Sequence, residues 1–74
     1  MNERLQRIFA EALQHDGPLP DSLGPEDVDG WNSFGHLALV EALEAEFGVK
    51  IPQREIAALD TVGHIKTVLA RLGK

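Results

Sequence analysis

Asn32-Ser33-Phe34-Gly35-His36-Leu37-Ala38-Leu39-Val40-Glu41-Ala42-Leu43-Glu44-Ala45-Glu46-Phe47-Gly48 is the stretch that decides the fold. Leu37, Leu39, Val40, Leu43 and Phe47 fall on one broad apolar face at helical spacing, while Glu41, Ala42, Ala45 and Glu46 fall mostly outside it. Asn32 or Ser33 suits the amino-terminal cap, and Gly48 suits the left-handed residue that ends a helix. The pattern predicts a helix opening at Asn32-Ser33 and running to about Phe47.

Upstream, Leu5, Ile8, Phe9, Ala12 and Leu13 form a second apolar stripe, with Asn2 as its expected cap. This helix is expected to end near His15-Asp16-Gly17, where glycine permits a left-handed turn and Pro18 and Pro20 prevent continuation. Residues 17–30 read as a long ordered loop that Leu19, Leu23 and Val28 tie to the core. Downstream, Ile51-Pro52 restarts the chain, and Gln53 to Leu59 has room for one short helix or turn. Asp60-Thr61 offers a cap for a last helix with the stripe Val62, Ile65, Val68, Leu69 and Leu72. Lys66, Arg71 and Lys74 lie toward its carboxyl end, where the helix dipole favours cations. No strand-length alternation and no internal repeat interrupt this pattern. The expectation is an all-α bundle of three long helices, one short helix and a long first loop, with residues 1–74 forming one domain.

Size and charge narrow the function classes. With 74 residues, of which 43% are hydrophobic and 26% charged, the composition is that of a small globular domain. A chain this short buries roughly 60% of its unfolded surface, which argues against a self-contained enzyme with a deep pocket. Binding or carrying is the expectation. There is no cysteine, so disulfides, thiolate metal sites and thiol nucleophiles drop out together. No apolar run reaches bilayer-spanning length, and the first residues lead into nothing like a signal peptide. A soluble, cytoplasmic monomer with no membrane partner is expected. The net charge is −5, concentrated as −8 over residues 16–60 and offset by +3 over residues 61–74. That field repels phosphate backbones, which excludes nucleic acid, and attracts proteins with basic docking faces.

Ser33 stands where the long loop meets the central helix. A hydroxyl there is surrounded by unpaired backbone N–H groups and the positive end of the helix dipole, which suits a phosphoester. The same position suits a plain cap. The wider pattern distinguishes the two. Trp31-Asn32-Ser33-Phe34, followed by Leu39-Val40, Leu43-Glu44, Phe47-Gly48-Val49-Lys50 and Ile51-Pro52, resembles the acyl carrier protein family, the phosphopantetheine-binding carrier domains. The resemblance extends over essentially the whole chain, including the Pro/Gly-rich loop, the short helix at Gln53–Leu59 and the Thr61-Val62 start of the last helix.

The resemblance implies an acyl-carrier-like four-helix bundle that catalyses nothing itself. Ser33 would bear 4′-phosphopantetheine, placed from coenzyme A by a phosphopantetheinyl transferase, with Asn32 shaping the surroundings. The arm's thiol would hold an acyl or aminoacyl thioester for loading and processing enzymes of a biosynthetic pathway, gaining the effective concentration that tethering provides. Trp31, Phe34, Glu41 and Glu44 would be candidate docking residues, and Leu37, Val40 and nearby loop residues would form the surface along which cargo lies.

Three departures mark a specialised carrier. Asn32 replaces the usual aspartate before the serine, keeping the cap but losing a charge, so weaker or more selective loading is expected. Gly35 and Ala38 stand at positions that are often acidic in fatty-acid-synthesis members. The competing reading, which Asn32 keeps open, is a carrier-like interaction module that is never modified. Other residues read more plainly. His36 is expected to be a partly buried, hydrogen-bonded side chain, Trp31 is more simply a loop anchor, and His15 and His64 read as solvated surface. Asp27-Val28-Asp29-Gly30 has the beginnings of a calcium loop but fails at both ends.

Overall fold

The computed structural model describes the backbone of residues 2–74 and the side chains from residue 3 onward. Four helices follow in order: α1 (Asn2–Leu13), α2 (Ser33–Phe47), α3 (Gln53–Ile56) and α4 (Val62–Arg71). Among the described residues there is no strand, and the expected all-α bundle is the observed one. The Asn2 cap lies outside the described side chains. α1 packs on α2, burying Leu5, Ile8, Phe9 and Leu13 against Leu39, Leu43 and Phe47, and α4 closes the core with Val62, Ile65, Val68 and Leu69. Each such side chain contributes about 1.5–3 kcal/mol by leaving water.

α2 begins and ends where its sequence requires. Asn32 Oδ1 accepts the Gly35 N–H at 2.9 Å, and Gly48 turns left-handed at φ 63°. Its face differs from the expected one at two positions. Leu37 is 58% exposed, whereas Ala42 packs against the core. The buried arc of α2 is Leu39, Val40, Leu43 and Phe47, rotated away from Leu37.

The end of α1 also departs from expectation. The helix stops at Leu13, and Gln14, not a glycine, takes the left-handed conformation at φ 59°. The corner is held by the His15 N–H donating to Phe9 O at 3.2 Å. The His15 ring is correspondingly not free surface: it lies edge-on to Phe9 and bonds Pro18 O at 3.2 Å. His64 is not free surface either, since its Nδ1 lies 3.5 Å from Asp60.

The long loop is ordered by identifiable contacts. Val28 is buried, Leu19 and Leu23 pack on the core, and Gln6 Nε2 donates to Gly17 O at 2.6 Å. A single 3-10 turn over Pro25–Asp27 lies within it. The loop also caps α4: Leu23 O and Asp21 O accept the N–H groups of Val62 and Gly63 at 3.0 and 2.9 Å. Thr61 Oγ1 accepts that of His64 at 3.1 Å. Three amide donors at the start of α4 are thereby satisfied.

Candidate functional site

The loop delivers its last residues to the start of α2 through a turn in which Trp31 N–H donates to Val28 O at 2.9 Å. Trp31 then turns inward. It is 3% exposed, meets Phe9 edge-to-face at 5.5 Å, and donates its indole N–H to His36 Nδ1 at 2.9 Å. Its place is in the core, as a loop anchor, and a docking partner meets at most its edge. His36 is half-buried, as its sequence context suggested. Because Nδ1 accepts from Trp31, the proton sits on Nε2, which donates to Ile56 O at 2.7 Å. With both nitrogens occupied, His36 has none left to act as a base on Ser33.

Ser33 is the first residue of α2 and is exposed. Asn32 supplies the cap, so the Ser33 hydroxyl is not needed for it, and that hydroxyl has no hydrogen-bond partner among the described residues. An open cleft of about 580 Å³ runs from Ser33, lined by His36, Leu37 and Asp60 over the nearly buried Trp31 and Leu59. Val40, expected along this surface, is instead 4% exposed and belongs to the core. Leu59 and Asp60 escaped the sequence reading, because no local pattern reports that the connection between α3 and α4 folds back over the start of α2.

Phe34 is 87% exposed beside Ser33, and with Leu37 it makes an apolar ridge on the outer face of α2. Glu41 is exposed further along. Glu44 has a structural task instead: its Oε2 accepts the Ile51 N–H at 2.8 Å and fixes the turn leaving α2. Glu46 is occupied as well, at the far end from Ser33. Arg4 Nε and Arg7 Nη2 reach its Oε2 at 2.8 and 3.1 Å. The Arg4 hydrogen bond, supported by that of Arg7, holds the Glu46 carboxyl below the usual carboxylate range against a smaller opposing effect of burial.

Gly35 has a role that the sequence did not reveal. A Cβ at this position would run into the Gly30 carbonyl, with Leu13 Cδ2 at 2.8 Å. The missing acid here is therefore a steric requirement: the first turn of α2 touches the loop backbone directly, and only glycine fits. Among the described residues, no group of three or more His, Asp or Glu side chains converges as a metal site would require.

No protein-family model matches this sequence. The chain is similar to the acyl carrier protein of Saccharopolyspora erythraea, with 32% identity over 68 residues that span 85% of this chain and 67% of that protein. With this identity and coverage, and a four-helix architecture of the kind the sequence pattern implied, the chain belongs to the acyl carrier protein family.

Proposed function

We propose that this protein is a non-catalytic carrier in a biosynthetic pathway and that Ser33 bears 4′-phosphopantetheine through a phosphodiester. When bound, that group supplies a thiol on which an acyl or aminoacyl unit is held as a thioester. The observation carrying this reading is that the Ser33 hydroxyl is exposed and free of structural hydrogen bonds, with the capping done by Asn32. The residues fit the group. Ser33 Oγ is open to a modifying enzyme, the helix start favours a phosphate's negative charge, and the cleft gives a tethered unit a surface to lie on. Phe34, Leu37 and Glu41 are exposed residues of α2 that a transferase or loading enzyme meets beside it. Among the described residues, no helix is long and apolar enough to cross a membrane.

Incubation with coenzyme A and a permissive phosphopantetheinyl transferase is expected to raise the intact mass by one phosphopantetheine. Ser33→Ala removes that gain while changing stability by no more than about 0.5 kcal/mol, the range of surface substitutions. Asn32→Ala, in contrast, costs roughly 1 kcal/mol by losing the cap. Wild-type protein left unmodified by several unrelated transferases turns the reading to a carrier-like interaction module.

A further inference from the structure

The cleft beside Ser33 has a closed floor. Trp31 and Leu59, which form it, are 3% and 1% exposed, so a tethered unit lies on them and not beneath them. One side chain spans the gap between the first turns of α2 and the end of α3. His36 accepts the Trp31 indole N–H on one nitrogen and donates to Ile56 O with the other. From the opposite side, Arg71 Nη1 holds Glu55 at 2.9 Å and fixes α3 to α4. The single turn of α3 is thus held to both of its larger neighbours.

We propose that His36 is the specificity-determining residue of this carrier: by bridging Trp31 and Ile56 it bars the way between α2 and α3, keeps cargo in the open cleft, and selects short acyl groups over long alkyl chains. The inference rests on Ser33 being the attachment site and adds which cargo that site takes. A long alkyl chain gains from a carrier by leaving water. Doing so here means parting His36 from both partners, which strands an indole N–H and a backbone carbonyl in apolar surroundings. A short acyl group incurs no such loss, since it is accommodated on the cleft surface beside Asn32 and Asp60.

The test loads the wild-type chain with acetyl- or octanoyl-phosphopantetheine from the corresponding coenzyme A thioesters. Intact mass confirms loading, and methyl NMR spectra and melting temperatures are then compared. In the wild type the two loaded forms are expected to share their Leu43, Val62 and Leu69 methyl shifts and to melt together. In His36→Ala, the octanoyl form alone shifts those methyls and melts at least about 4 °C above the acetyl form. Trp31→Phe, which keeps a ring but removes the N–H, weakens the bridge from its other side and is expected to show the same chain-length dependence if His36→Ala fails to fold. A merely structural histidine would alter both loaded forms alike. Octanoyl-dependent core shifts in the wild type, or no chain-length dependence in either folded variant, overturn the proposal while leaving the carrier reading intact. A chain that gains no mass removes both.

Discussion

Gly35 illustrates how much one missing methyl group decides at the residue scale. In a helix interior, Gly→Ala normally gains about 1 kcal/mol from propensity. Here the added Cβ meets the Gly30 carbonyl and Leu13, and overpacking of this kind costs about 1–3 kcal/mol. The obstacle is backbone and cannot rotate aside, so the steric cost prevails. Gly35→Ala is expected to lower the urea midpoint without changing the slope, and an unchanged or raised midpoint would show that the loop yields. The sequence indicated that Gly35 departs from the family's usual residue. It did not reveal why, because the reason lies in a backbone contact between residues that no periodicity relates. The Asn32 cap was readable because a cap acts within its own turn. Glu44, bonded to the Ile51 amide, was not, since its partner lies beyond the helix on which its spacing was judged.

At the scale of elements, α2 and α4 follow from local signals: Asn32 and Thr61 at their starts, Gly48 at the end of α2, and apolar stripes between. The first helix ends earlier than its glycine suggested because Gln14 adopts a left-handed conformation that residues other than glycine seldom take. α3 is the element least able to stand alone. Four residues cannot sustain a helix by themselves, so contacts from neighbouring elements hold it. The Arg71–Glu55 pair is partly exposed and contributes roughly 0.2–1 kcal/mol. Arg71→Ala is accordingly expected to speed amide exchange a few-fold across residues 53–59 while leaving α1 unchanged. A uniform acceleration across all helices would mean that the pair supports the bundle generally and not α3 in particular.

For the molecule as a whole, one ion-pair cluster sits far from the candidate site. Arg4 and Arg7 gather on Glu46, with the Arg4 guanidinium 4.2 Å from the centre of the Phe47 ring, while Ser33 and its cleft occupy the opposite end of α2. The folded chain holds Glu46 below its ordinary value of 4.5, so the unfolded state binds the proton more readily. This contribution to stability is therefore present above the ordinary carboxylate range and lost as pH falls through the lowered folded value. The difference in urea midpoint between wild type and Glu46→Gln is expected to shrink as pH is taken from neutral toward acid, and to shrink also with added salt. A pH-independent difference would assign the effect to packing. The overall architecture was readable because it depends on apolar periodicity; the cleft was not, because it is assembled from the start of α2 and from Leu59 and Asp60. The only tryptophan in the sequence forms the floor of that cleft, hydrogen-bonded to an imidazole. Nature has thus placed a fluorophore beside Ser33: its emission colour and quenching report, without any attached dye, whether the groove is wet, covered or pried open.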